Sequence, residues 1–303
     1  MLNEKINETF VGSILINLLH CAESYIYPLI ISDKKAVINF YKEKTGFDLD
    51  LKSPETFSEK MNWYKLNVRM PLMVQCADKY AVREYVKECG YEECLNEIYG
   101  VYNSVFDINI DNLPERFVLK AAHGSHMNII VKEKNDYNWL KEKIIMWTWL
   151  HQNIYWGGRE WCYKDIPKRI IAEKYLEDES GELRDYKFFC FNGEPCYLQY
   201  DIGRFNNKHY RNYYDMSLKL LSLSDDVPNN NEIVLDIPRD SLTNMIEIAR
   251  KLSKPFQFVR TDFYYVKNKI YFGELTFYHN GGITWFNPPE YDIVFGEKWK
   301  IDK

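Results

Sequence analysis

Long basic blocks are missing from this chain of 303 residues, and its net charge is −5, so non-specific binding to nucleic acid is not expected. Neither GxxxxGK followed by Ser or Thr nor GxGxxG occurs, which excludes a Walker-type phosphate loop and a dinucleotide fingerprint. There is no GxSxG, no HExxH and no identifiable Ser/His/Asp order, so nothing marks a protein nucleophile. Cysteine stands at positions 21, 76, 89, 94, 162, 190 and 196, never as CxxC, and no histidine cluster has zinc spacing. Reduced, mostly buried thiols in a cytoplasmic protein follow from that usage. The stretch from Ser13 to Ile31 is broken by His20, Glu23 and Ser24, whereas a bilayer span needs roughly 20 mostly apolar residues. A core-packing helix is expected there, with an interfacial helix as the alternative. The acidic start MLNEKINETF lacks the layout of a signal peptide.

What is present is ordinary globular composition with a heavy aromatic content of 16%, which calls for a bulky core. Residues 1 to about 50 have helical spacing. Thr56 and Glu59 form a capping box that opens a helix, and a further helix runs through AVREYVKECG to stop near Gly90. FVLKAAHGS reads as a strand, Phe117 to Lys120, entering a loop. Residues 134–163 hold a Trp-rich helical stretch, and RIIAEKYL reads as a buried strand passing into a connector. DYKFFCFNGEPCYLQYDI is a hairpin turning at Asn192-Gly193. SLTNMIEIARKLS is an amphipathic helix with Leu242, Met245, Ile246, Ala249 and Leu252 on one face. FQFVRTDFYYVKNKIYFGELTF is a second hairpin, turning at Lys267-Asn268-Lys269. Hairpins mixed with helices give an α+β architecture.

The last hairpin carries the most chemistry. Arg260 and Asp262 share a strand face, as do Glu274 and Thr276 on the partner strand. Asp262 and Glu274 then lie near one another, and paired carboxylates suit Mg²⁺ bridging nucleotide phosphates. Exposed carboxylates paired with lysines would leave the same pattern. Lys120, followed by Ala121, Ala122, His123, Gly124 and Ser125, could hold phosphate through its charge and the loop N–H groups, or could be a plain strand–loop junction. Asp78-Lys79-Tyr80 precedes a helix start, and Glu173, Lys174 and Leu176 lie where an apolar strand enters an acidic connector. Alone, each of these says little.

In this order, DKY, FVLKAAHGS, IIAEKYL, DYKFFCFNG and VRTDFYYVKNKIYFGELTF together resemble the ATP-grasp superfamily, and more narrowly its TupA-like group, named for teichuronopeptide biosynthesis. The resemblance covers roughly residues 54 to 297. It implies an ATP-grasp fold at residues 76–303, with subdomains 76–173 and 174–303 clasping ATP, after a mainly helical segment at 1–75. Lys79 and Lys120 stand where two lysines hold the phosphates. The loop from Ala121 to Asn128, with His123, Gly124 and Ser125, stands for the phosphate lid. The backbone of Lys174 and Leu176 would read adenine, with Glu173 at the hinge. Lys187 and Arg260 would face the transferred phosphoryl group, and Asp262, Glu274 and Thr276 would hold one or two Mg²⁺ ions, or Mn²⁺ in their place. Thr276 departs from the usual Asn.

The resemblance further implies a carboxylate–amine ligase acting through an acyl-phosphate on a polysaccharide or its precursor, with an amino acid or amino sugar as the other substrate. Peripheral association with glycan-assembly enzymes fits that role. A phosphotransferase acting on a sugar hydroxyl, or a non-catalytic binding protein that keeps the fold, are the alternatives. The loop Phe277 to Thr284 is expected to cradle the acceptor carboxylate through Asn280 or Thr284. A plain turn needing glycine for its shape is the other reading.

Overall fold

The computed structural model describes residues 10–26, 31–178, 181, 183–204 and 209–301, so the expectation for the acidic start lies almost wholly outside the described residues. The helices in chain order are α1 (Phe10–Ile26), α2 (Asp33–Thr45), α3 (Phe57–Asn67), α4 (Pro71–Ala77), α5 (Val82–Glu88), α6 (Trp139–His151), α7 (Tyr155–Gly158), α8 (Arg239–Ser253) and α9 (Glu290–Lys298). The chain divides into two compact units, one of residues 1–36, 69–81 and 96–175, the other of 37–68, 82–95 and 176–303. The helical segment expected at 1–75 is therefore not a unit of its own but is shared between the two.

The first unit is built on an antiparallel sheet of β1 (Ile98–Tyr102), β2 (Phe117–Ala121), β3 (Asn128–Val131) and β4 (Ile170–Lys174), ordered β1-β4-β2-β3. Alternation decides its faces: Phe117, Leu119, Ala121, Ile170 and Ala172 join Ile129, Met146 and Trp149 in the core. Lys120 and Glu173 fall on the opposite parity and point to the other face. Helix α1 packs on α6, where the Cys21 thiol donates to Thr148 O at 3.6 Å and Gln152 donates to Asn17 O at 3.2 Å. Among the described residues no helix is long and apolar enough to cross a membrane.

The second unit carries an antiparallel sheet of β5 (Asp185–Phe191), β6 (Glu194–Ile202), β7 (Tyr210–Asp215), β8 (Phe258–Val266) and β9 (Lys269–Thr276), ordered β7-β6-β5-β8-β9. At the first hairpin turn, Asn192 (φ 50°) and Gly193 (φ 83°) take the left-handed conformations that a two-residue turn demands. The second hairpin also turns on two residues, Lys267 and Asn268, because Lys269 already pairs with Val266. Helix α8 covers one sheet face with Leu242, Met245, Ile248, Ala249 and Leu252. Ile248 replaces the expected Ile246, which lies off the buried stripe.

On the opposite face, the aromatic half of the sheet is closed by α3 and α9. The α3 capping box forms as expected: Glu59 N donates to Thr56 Oγ1 and Thr56 N to the Glu59 carboxylate, both at 3.1 Å. Phe57, fully buried, packs at ring-centroid distances of 5.1 Å from Phe258, 5.9 Å from Trp299 and 6.2 Å from Phe189. This is why residues 57–67 belong with the second sheet rather than with a separate N-terminal domain.

Helix α3 also straps the loop at 277–284. Asn62 Nδ2 donates to Gly282 O at 2.7 Å, and the buried Lys65 ammonium donates to Gly281 O. Thr284 N donates to Ser58 Oγ at 3.2 Å, and Thr284 Oγ1 donates to Asp292 at 2.8 Å. Thr284 is therefore occupied in holding the loop, contrary to the expectation that it meets an acceptor. Gly282 (φ +90°) is there for shape and space, since a Cβ on it would lie 2.9 Å from Asn62 Oδ1. Gly282→Val should accordingly destabilise folding by about 2–4 kcal/mol in urea unfolding, from left-handed strain together with displacement of Asn62. An unchanged urea midpoint would return this loop to the candidates for ligand contact.

Candidate functional site

In the first unit the sheet brings two predicted residues together. Val118 pairs with Glu173 and Lys120 with Ile171 across β2 and β4, so Lys120 and Glu173 are diagonal neighbours on one face. Lys120 Nζ lies 2.8 Å from Glu173 Oε2, with both side chains partly open to solvent. The loop after β2 is tied at its base: Ala121 N donates to Met127 O, Ala122 N to Arg169 O, and Lys79 N to Ala122 O at 3.0 Å. Lys79 is thus hooked to the loop that follows Lys120. Its neighbour Asp78 is buried, accepts from Tyr80 N and Ala81 N, and pairs with Arg169.

Within the loop, Ser125 and His126 are exposed, whereas Gly124 is buried against Met127. His123 does not join the exposed part. Its ring is buried, with Nε2 2.8 Å from Trp149 O, and burial lowers its pKa below the usual imidazole value. It anchors the loop to α6 in neutral form. Lys174 has both backbone groups in use, with N donating to Glu97 O at 3.0 Å and O accepting from Asn96 Nδ2 at 2.8 Å. A purine edge read through Lys174 would compete with these bonds. Leu176, in the second unit, has no hydrogen-bond partner among the described residues.

The second unit concentrates charge on the face of its sheet opposite α8. One rung runs Tyr213, Gln199, Lys187, Asp262 and Glu274 across all five strands. Asp262 and Glu274 are direct cross-strand partners, and so are Arg260 and Thr276. A bulge creates this register: Phe263 pairs with Phe272, so Gly273 is left unmatched before Glu274. A Cβ on Gly273 would lie 2.9 Å from Asp262 O, so the bulge needs glycine. Without the extra residue Glu274 would oppose Thr261 and point to the α8 face.

Arg260 fills the space between these side chains. Its Nε and Nη2 donate to the two Asp262 oxygens at 2.7 and 2.6 Å, and Nη2 donates to Thr276 Oγ1 at 3.1 Å. The same nitrogen lies 3.6 Å from Glu274 Oε1, and Thr276 Oγ1 donates to Glu274 at 2.9 Å. Burial pushes the Asp262 carboxyl up to about 6, against the pull of the Arg260 guanidinium. Two carboxylates and a hydroxyl thus converge on a point already taken by positive charge. That oxygen set suits a hard divalent cation with phosphate or water oxygens completing the shell. Among the described residues no cluster of three His, Cys, Asp or Glu side chains stands at metal-binding spacing.

Lys187, expected to face the transferred phosphoryl group, is held by carboxylates of its own sheet. Its Nζ donates to Asp201 at 2.7 Å and lies 3.6 Å from Asp185. Asp201, fully buried, also accepts from Gln199 at 2.6 Å and Arg211 at 2.7 Å, with His209 at 2.9 Å. Burial opposes its charge, but the hydrogen bond with His209 and the charges of Lys187 and Arg211 more than offset this and hold its carboxyl well below the usual range. Arg211 continues to Asp225 at 2.6 Å, and Arg204 pairs with Asp185 at 2.8 Å. Sequence reading missed Asp185, Asp201, His209, Arg211 and His279. The signal was there in Asp185/Lys187, Gln199/Asp201 and Arg211/Tyr213, each polar and two apart like Arg260/Asp262.

Residues 59–300 match the family described as TupA-like ATPgrasp. No curated protein matches the chain. Among solved structures it is similar to D-alanine–D-alanine ligase from Bacillus anthracis, with 16% identity over 66% of this chain and 56% of that one, at a TM-score of 0.41. It is also similar to L-amino acid ligase from Bacillus licheniformis, with 13% identity over 84% of this chain and 55% of that one, at a TM-score of 0.44. For an ADP complex of N5-carboxyaminoimidazole ribonucleotide synthetase, the values are 10% identity, 82% and 58% coverage and a TM-score of 0.44. The chain spans little more than half the length of these structures. With a family match that runs from the first turn of α3 to the residues after α9, the chain belongs to the TupA-like ATP-grasp family.

Proposed function

We propose that this protein is an ATP- and Mg²⁺-dependent carboxylate–amine ligase. The observation that carries the reading is the Asp262/Glu274 pair, set on one face by the Gly273 bulge beside Arg260, in a chain of the ATP-grasp family. A bound Mg²⁺ ion would supply charge neutralisation for phosphate oxygens. Asp262, Glu274 and Thr276 would hold it, and Arg260 would then give up its hydrogen bonds to Asp262 and Thr276. Lys79 and Lys120 bind phosphate oxygens, with Glu173 holding Lys120 when no nucleotide is present. Lys187 and Arg260 meet the γ-phosphoryl group as it moves.

A carboxylate oxygen attacks the γ-phosphorus and ADP leaves. An amine nitrogen then attacks the acyl carbon, phosphate leaves, and the amine loses a proton. The protein forms no bond in either step, in keeping with a chain that lacks any nucleophile motif; it positions and neutralises. Family membership supports a cytoplasmic reaction on a polysaccharide or lipid-linked precursor, with an amino acid or amino sugar as the second substrate and glycan-assembly enzymes as peripheral partners.

Mass spectrometry of a uronic-acid oligosaccharide incubated with ATP, Mg²⁺ and amino acids should reveal an amide product. A phosphorylated saccharide without amide would instead make the protein a phosphotransferase. Lys120→Ala should lower ATP affinity at least about tenfold in calorimetry, with circular dichroism unchanged. Unaltered ATP affinity would remove Lys120 from the site. Glu274→Gln should reduce metal-dependent turnover at least about tenfold, or about 1.4 kcal/mol in barrier, and Thr276→Ala should cost less. Full activity of the Glu274 variant, or of the wild type in EDTA, would contradict the metal assignment.

A further inference from the structure

We propose that His279 is the positioning residue for Arg260, and that α3 holds it there through the loop at 277–284. The inference rests on the ATP-dependent reading above and assigns a role within the same site.

Arg260 makes four hydrogen bonds, and they are not equivalent. Three go to Asp262 and Thr276, which are oxygens that a divalent cation would take. The fourth is from Nη1 to His279 Nδ1 at 2.9 Å. A guanidinium can only donate, so Nδ1 accepts and the proton of the neutral ring sits on Nε2. When the oxygens turn to a metal ion, His279 is the contact that remains. It then decides the direction of the guanidinium, which a flexible arginine side chain would otherwise leave undefined.

His279 is built for that task. It is buried, with its ring 4.9 Å from Phe189 and 6.3 Å from Phe57 between centroids. Its Nε2 has no hydrogen-bond partner among the described residues, so Arg260 is what orients the polar edge of the ring. Burial, then Arg260, Arg211 and Lys187, lower its pKa well below the usual value, against Asp201. The ring therefore stays a neutral acceptor. The next two residues, Asn280 (φ 47°) and Gly281 (φ 64°), turn sharply, and Lys65 and Asn62 of α3 seize the carbonyls of Gly281 and Gly282. The helix thus acts on Arg260 at one remove.

Two variants separate an acceptor from a space-filler. His279→Phe keeps a ring of similar volume but has no acceptor. His279→Asn places an amide oxygen where Nδ1 stood. Calorimetry would measure ADP–Mg²⁺ and ADP–Mg²⁺ with aluminium fluoride, a mimic of the phosphoryl group in flight, and urea unfolding would report stability. His279→Phe should bind ADP–Mg²⁺ within about twofold of wild type but bind the aluminium fluoride complex roughly ten- to a hundredfold more weakly, and His279→Asn should recover most of that loss. Wild-type affinity of the Phe variant for the fluoride complex would overturn the proposal. So would equal weakness of both variants, which would mark a purely structural ring. A wild type that binds ADP–Mg²⁺ without any tightening by aluminium fluoride would overturn it too. A wild type that binds no nucleotide would instead defeat the ATP-dependent reading on which it rests.

Discussion

The bidentate pairing of Arg260 with Asp262 organises the charged half of the second sheet. Both groups are buried, and withdrawing a guanidinium and a carboxylate from water costs several kcal/mol per ion unless their hydrogen-bonding capacity is met. Strand β8 supplies both partners two residues apart. Strand β9 supplies Thr276 and Glu274 opposite them, and the turn after β9 supplies His279. Each of these placements depends on register, so the pair penalises any slip of β9 against β8.

The same logic extends across the sheet. Positive and negative side chains alternate from Arg211 through Asp201, Lys187 and Asp185 to Arg204. Removing one member strands its neighbours, at a cost of about 3–5 kcal/mol for a buried pair, so the network is rigid as well as polar. Aromatic packing takes over where the charges end: Phe189 lies two residues beyond Lys187 on the same face and touches Phe57. One face of one sheet thus changes from charged site to apolar core within a single pleat repeat.

Much of this was legible in the sequence because periodicity and turn chemistry are local. The capping box at Thr56, the Asn192-Gly193 turn and the same-face pairing of Arg260 with Asp262 followed from spacing alone. The opposition of Asp262 to Glu274 was also expected, but by another route. A three-residue turn would have set that register, whereas the chain uses a two-residue turn and recovers the missing residue as the Gly273 bulge. Glycine in a strand does not announce which function it serves. The roles of His123, His279 and Thr284 were illegible for a different reason. Their partners, Trp149 O, Arg260 and Ser58, lie 26, 19 and 226 residues away, and nothing local marks such pairs. Residues 57–67 read as N-terminal helix because the aromatic slot for Phe57 is assembled from segments more than a hundred residues downstream.

That separation has a bearing on how the protein is made. Lys60 of α3 donates to the carbonyls of Gly296 and Trp299 at 2.9 and 2.8 Å, and Phe57 meets Phe295. During synthesis α3 precedes all of these partners, the last of which, Trp299, follows Lys60 by 239 residues, and chains lengthen at roughly 5–20 residues per second. Until the last of them is made, the core that Phe57 enters is incomplete. The order of events is therefore set by the slowest long-range closure, and the second unit should fold late and as a whole, with a rate governed by contact separation rather than by local helix strength.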